Sequence, residues 1–276
     1  MLTILAGLCS SAAFALSDML SQKVARRAGV VPVVLWIFAT GTVLLLPATL
    51  AIDGLPHGAA EWRASGLVVL CGVIYVLGYG ALLNGLRRGD LSLVTALTAL
   101  QGAYVAIYAV AGGEPVTAPL VVALALAIGG GVLAAFQQRA KTAAGAGWGL
   151  LAGLIFATFF ILYDKAGAIS WLQQAAFTRT TSFLVWIPVA LVARKVRLPR
   201  ATWALTVGSG SLEVGGLVLI AVAISLGPLA VAGVTSSQFA TFAVLLGLVV
   251  LKERPRPHQL AGVGMTLAAV TLLSIS

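Results

Sequence analysis

Charge is what this chain most lacks. Only 9% of its 276 residues are Asp, Glu, Lys or Arg, against 60% apolar residues and a mean hydropathy of +1.06. Soluble domains carry roughly 25% charged residues, and so few polar side chains cannot cover a water-facing surface, which excludes a soluble domain. Cysteine is scarce as well. Cys9 and Cys71 both lie inside apolar runs, so neither a disulfide scaffold nor a zinc spacing is expected. The two histidines, His57 and His258, fall in loops, which leaves Gly208-Ser209-Gly210-Ser211 without an in-membrane base for serine chemistry. No two carboxylates are closely spaced and there is no P-loop, so an enzyme, a resident metal, a cofactor and direct use of ATP are not expected. The net charge of +9 would suit nucleic acid, but the charges sit in short gaps between long apolar segments. That is membrane topology, and no nucleic-acid partner is expected.

A hydrocarbon core about 30 Å thick takes about 20 apolar residues per helix, and ten segments satisfy this along the chain. They are read at 2–20, 31–52, 64–86, 91–111, 119–136, 147–163, 172–193, 201–226, 229–251 and 259–275. The runs are too long for barrel strands and do not alternate, so they are helices. The first has no basic region ahead of it and reads as a retained span, not a cleaved signal. The gaps after helices 1, 3, 5, 7 and 9 carry Lys23, Arg26, Arg27, Arg87, Arg88, Arg139, Lys141, Arg194, Lys195, Arg197, Arg200, Lys252, Arg254 and Arg256. The opposite face carries Arg63 and Lys165. The positive-inside rule then places the basic loops in the cytoplasm and both termini outside, in a multi-pass cell-membrane protein.

The chain also repeats itself. Leu5-Ala6-Gly7-Leu8 returns as Leu151-Ala152-Gly153-Leu154, and at the same offset Phe14 falls on Phe160 and Asp18 on Asp164. Gly89-Asp90-Leu91 aligns with Gly227-Pro228-Leu229 at an offset of 138, and Tyr104 with Phe242. Residues 1–140 and 141–276 therefore read as two five-helix repeats. An odd number of spans per repeat threads them in opposite senses, the inverted repeat that secondary transporters use for alternating access. The expected fold is an all-α polytopic membrane protein, with ten transmembrane helices around a central cavity.

Leu226-Gly227-Pro228-Leu229-Ala230-Val231-Ala232, then Lys252-Glu253-Arg254-Pro255, then Gln259-Leu260-Ala261-Gly262-Val263, resembles the C-terminal signature of the drug/metabolite transporter superfamily in its ten-helix EamA-type branch. The resemblance covers both halves. It implies a basket of helices around a cavity that moves small metabolites without ATP, as a monomer or homodimer in the bilayer. Trp36 stands where similar proteins often carry Arg in helix 2, whereas helix 7 keeps Arg179.

Charges inside hydrocarbon are the sharpest local signal, because Arg, Lys or Asp at a helix centre costs about 2.5 to 3.5 kcal/mol on insertion scales. Glu213 lies midway along helix 8, on one face with Thr206, Ser209, Gly210 and Gly216. That polar face points into the bundle, where the carboxylate could exchange a proton, hold a cation, or be tied to Arg179 or to hydroxyls. Arg179, roughly 10 Å into helix 7, could fork onto a substrate carboxylate, pair with Glu213, bridge to Asp164, or snorkel. Asp18 and Asp164, beside Lys23 and Lys165, read as interfacial; Glu114 and Glu253 read as caps of the helices that follow them. Polar stripes at equivalent repeat positions offer a cavity wall: Thr98, Gln101, Tyr104 and Tyr108 on helix 4, and Thr235, Gln238, Thr241 and Phe242 on helix 9. Tyr75 and Tyr79 add to it from helix 3, with Tyr75 aligned to Glu213, and Ser10, Phe14 and Trp36 from helices 1 and 2. Rings beside a carboxylate suit an amphipathic, cationic or amino-acid-like solute, with proton coupling open. The other function this fold allows is a lipid-linked flippase or membrane scaffold subunit.

Overall fold

Long apolar runs leave the backbone one way to satisfy its hydrogen bonds in lipid, and among the described residues every regular element is a helix. A computed structural model describes residues 1–88, 94, 97–135, 145–249 and 256–275. The α-helices are α1 (Leu2–Ala28), α2 (Val30–Ile52), α3 (Ala59–Arg88), α4 (Gln101–Ala111), α5 (Ala118–Ala135), α6 (Ala146–Lys165), α7 (Trp171–Val192), α8 (Trp203–Leu226), α9 (Leu229–Ser236), α10 (Phe239–Val249) and α11 (Pro257–Ile275). Six of them, α1, α2, α3, α6, α7 and α8, are long and apolar enough to cross a membrane; the apolar helical stretches Leu97–Ala111, which includes the turn at Leu100, and Ala118–Leu133 are shorter. The Gly89-Asp90-Leu91 motif, Arg139, Lys141, Lys252, Glu253 and Arg254 lie outside the described residues.

Three expected spans differ in extent or continuity. Helix α1 does not stop at residue 20 but runs to Ala28, where Gly29 at φ 81 ends it. Nothing in Ser21–Ala28 breaks a helix, so Lys23 sits on the last turns of α1 rather than in a loop. The ninth apolar run is not one helix: it turns at Ser237 and Gln238, whose N–H groups reach Val234 and Thr235 at 3.3 and 3.4 Å. Polar side chains cover the carbonyls, with Ser237 Oγ and Gln238 Nε2 donating to Val234 at 2.8 and 3.1 Å. The fourth run is interrupted in the same manner at Leu100, a turn between helical Leu97–Ala99 and α4, with its N–H on Leu97 at 3.3 Å.

The principal helix pairs are α1 with α8, α5 with α11, α3 with α6, α2 with α7, α3 with α7, and α4 with α9. Small residues allow these approaches, since no hydrophobic drive pulls helices together in lipid and close packing must. A Cβ on Gly72 would strike Thr181 and the Thr178 carbonyl; one on Gly210 would strike Thr40 and the Ile37 carbonyl. Gly78 lies under the ring of Phe156, and Gly216 under that of Phe14. The Gly149 and Gly153 stripe of α6 faces the backbone at Val94, Leu97 and Thr98, so it serves contacts within the bundle.

Helix ends are tied across the molecule. Ser170 and Gln173 form a capping box at the start of α7, and Ser170 Oγ also donates to Asp53 at the end of α2. Glu114 does cap a helix, but not the one that follows it. Its carboxylate accepts the N–H groups of Leu229 (2.7 Å) and Ala230 (3.2 Å), so it closes the first turn of α9 instead. Helix α7 ends with Arg194 N–H on Leu191 and Lys195 N–H on Ala190, both at 3.0 Å, a Schellman turn with Arg194 at φ 53.

Candidate functional site

The polar face of α8 turns inward, as its residue spacing requires, and buries Thr206, Ser209, Gly210, Glu213 and Gly216. Opposite Glu213, α3 brings two tyrosines one turn apart. Tyr79 Oη donates to Glu213 Oε1 at 2.6 Å and Tyr75 Oη donates to Oε2 at 3.0 Å. Arg179 Nη2 donates to the same Oε2 at 2.9 Å, making an ion pair in which both side chains are at most 2% exposed. The partner of Arg179 is thus Glu213 and not Asp164, which stays exposed at the end of α6.

Rings complete the enclosure. The guanidinium lies 5.1 Å from the ring centroid of Phe38 and 5.2 Å from that of Tyr75, within the range of cation–π attraction. Its Nε and Nη1 find no hydrogen-bond acceptor among the described residues. Gly41 makes room for the Arg179 stem, since a Cβ there would come within 2.5 Å of Cγ. In this conformation the expected central cavity does not reach the pair: Arg179 and Glu213 are each 1% exposed.

Other candidates join or stand apart. Ser209, one turn from Glu213, exchanges hydrogen bonds with Ser17 (Oγ to Oγ 2.7 Å), and Ser10 Oγ donates to the Gly216 carbonyl, so both lace α1 to α8. Trp36 donates its indole N–H to the Val196 carbonyl at 2.8 Å and packs edge-on to Trp203, at the α7–α8 connection and away from the pair. Thr98 donates to Val94 and to Gly149 on α6. Gln238 gives its amide N–H groups to Ala127 and Val234 and receives Thr241 and Thr266, which leaves it no capacity for a ligand in this state. Gln101 is buried at the start of α4, and Tyr104 is half-buried against the core.

Asp18 is the residue whose placement differs most from its expected interfacial one. On α1 it shares a face with Gly7, Ser11 and Ala15, all buried, while Leu2, Leu5 and Cys9 on the opposite face are exposed toward lipid. Asp18 is exposed and lies close enough to Glu213 for their charges to interact. It has no ion-pair partner among the described residues. Asp18 is therefore open on the side of α1 that carries its buried small residues. The signal was in the chain: spacings of four, four and three from Gly7 put Asp18 on the small-residue stripe. Phe38, not a candidate from sequence, carries no such signal.

Comparison with known proteins fits this architecture. The EamA-like transporter family matches the chain twice, over residues 1–136 and 143–275. No curated protein matches. A crystal structure of another protein superimposes with a TM-score of 0.80 over 99% of this chain and 97% of its own, at 12% identity. At that identity the likeness is one of fold. The family match covers nearly the whole of both halves, and the chain belongs to the EamA-like transporter family of the drug/metabolite transporter superfamily.

Proposed function

We propose that the protein is a secondary carrier of a small amino-acid-like solute, working by alternating access between two inverted five-span repeats, 1–140 and 141–276. The observation that carries the reading is the Glu213 site: a carboxylate of the second half is held by Tyr75 and Tyr79 of the first. Tyr75 and Glu213 are 138 residues apart, the spacing of the repeat itself. Equivalent positions meet where a twofold axis in the membrane plane would pass. The other contacts repeat in kind. Gly72 on Thr181 answers Gly210 on Thr40, Gly78 on Phe156 answers Gly216 on Phe14, and Pro47 in α2 answers Pro188 in α7. In this reading Phe14 therefore pairs with Phe156 at an offset of 142, and not with Phe160 at the 146 of the Leu-Ala-Gly-Leu match. The interruptions at Leu100 and at Ser237–Gln238 also correspond, and broken spans in matching positions mark the substrate region of many carriers.

Alternating access then has a chemical content. Parting the halves at one side withdraws Tyr75 and Tyr79 from Glu213 and exposes the pair to water. Arg179 has two donor nitrogens to offer a solute carboxylate. Asp18, on an exposed stretch of α1 that this reading makes a water-filled recess open toward the basic loops, offers a counter-charge to an ammonium group. Glu213, once its partners are loosened, is placed to take up a proton that links transport to a pH gradient. The basic loops face the cytoplasm in this reading.

The test is uptake into proteoliposomes. Amino acids are offered beside their N-acetyl and methyl-ester forms, with and without an imposed pH gradient. The free amino acid should be carried and both blocked forms refused. Asp18→Asn should raise KM for the free amino acid about tenfold with little change in melting, and Glu213→Gln should abolish the response to pH. Uptake of the N-acetyl form at the same rate removes Asp18 from the site, and pH-driven uptake unchanged in Glu213→Gln removes the coupling role.

A further inference from the structure

The connection between α7 and α8 borders an open surface recess of about 460 Å³ lined by Arg194, Lys195 and Arg197, with Ala28 and Pro32 also in its lining. It adjoins an apolar crevice of about 180 Å³ that shares Leu191 and Val196 and continues between α2 and α7 past Leu35, Trp36, Phe183 and Ile187. Phe183 lies roughly 13 Å along the helix from its Val192 end, at 1.5 Å per residue. A basic mouth therefore opens onto an apolar slot that runs toward the depth of acyl chains.

A topology signal alone needs lysine or arginine anywhere in the loop. Two features here go beyond that. Arg194 occupies the left-handed position of the Schellman turn, at φ 53, where glycine would close the same turn without strain. Trp36, whose ring lines the slot, donates to the Val196 carbonyl at 2.8 Å, which pins the basic loop over the slot. The turn carries a basic residue where glycine would be easier, and its exposed guanidinium and ammonium groups stand beside the apolar groove. Charge and groove together fit one kind of molecule, an anion with hydrocarbon attached.

We propose that this site binds an anionic phospholipid of the basic-loop leaflet, its phosphate on Arg194, Lys195 and Arg197 and one acyl chain between α2 and α7. These helices carry Phe38 and Arg179, so a bound lipid braces the walls of the central pair without touching it.

Thermal unfolding of the detergent-solubilised protein tests this, with phosphatidylglycerol, phosphatidylcholine of the same chains, or inorganic phosphate added. Phosphatidylglycerol should raise the melting temperature by several degrees while the other two leave it unchanged. In Arg194→Gly/Lys195→Gln/Arg197→Gln the half-saturating phosphatidylglycerol concentration should rise at least tenfold, with melting in the absence of lipid held or improved by the relaxed turn. Ile187→Phe, which fills the slot and keeps the charges, should weaken the same response. Equal shifts with phosphatidylcholine would mean general annular lipid, and a full response to phosphate alone would mean an anion site without a lipid. A triple variant that binds phosphatidylglycerol as the parent does would place the lipid elsewhere; each of these results overturns the proposal.

Discussion

Glu213→Leu should be the most damaging single change in the core, lowering unfolding stability by about 3 to 5 kcal/mol, because it leaves a guanidinium buried without its counter-ion. Arg179→Met should cost less. A carboxyl group deprived of its partner can neutralise itself by binding a proton, and an arginine cannot release one. The double variant Arg179→Met/Glu213→Leu removes both charges and should be more stable than Glu213→Leu alone, although Tyr75 and Tyr79 then keep unpaired hydroxyls worth about 1 to 3 kcal/mol each. The order of melting temperatures is therefore parent, double variant or Arg179→Met, and Glu213→Leu last. Additive losses in the double-mutant cycle would show that the 2.9 Å contact carries no coupling energy.

Gly130→Val should be the next largest. A Cβ at Gly130 would meet the Gly262 carbonyl oxygen at 2.7 Å, Thr266 Oγ1 at 2.7 Å and Thr266 N at 2.9 Å. Two of these three are backbone atoms of α11, which no rotamer change can move aside. Helix α11 must retreat from α5, and overpacking of this kind costs about 1 to 3 kcal/mol. It also loosens the anchoring of Gln238, which bonds both Ala127 on α5 and Thr266 on α11. Gly264→Val, on the facing helix α11 with nothing within 4 Å, is the matched control and should melt with the parent. Equal melting of the two variants would show that the α5–α11 contact is not limiting.

What could be read from the chain follows the range of the physics involved. Glu213 was legible because a charge midway along an apolar run must find a polar face, and Ser209, Gly210 and Gly216 supply one at helical spacing. Tyr75 was legible through the repeat, since equivalent positions meet at a local axis. The partner of Arg179 was not, because choosing between Glu213 and Asp164 needs the rotation of α7 about its own axis. Asp18 was obscured by Lys23: an acid next to a base at the end of an apolar run looks interfacial unless α1 is known to continue to Ala28. The stripes on the fourth and ninth runs looked like binding surface, yet Thr98 and Gln238 are engaged in holding interrupted helices together. Glu114 reaching Leu229 is a contact across the whole sequence, which no local pattern encodes.

An amino-acid-like solute at the Glu213 site requires the inner face of α1 at Asp18 to be wet. In a background of Cys9→Ser and Cys71→Ala, Asp18→Cys can be exposed to a membrane-impermeant maleimide from either side of a sealed vesicle, with Leu5→Cys as the lipid-facing reference. The expected result is rapid labelling of position 18 from the side of the basic loops, none from the other, and none at position 5. Reaction of position 18 only with a membrane-permeant reagent, or only from the side opposite the basic loops, would contradict it.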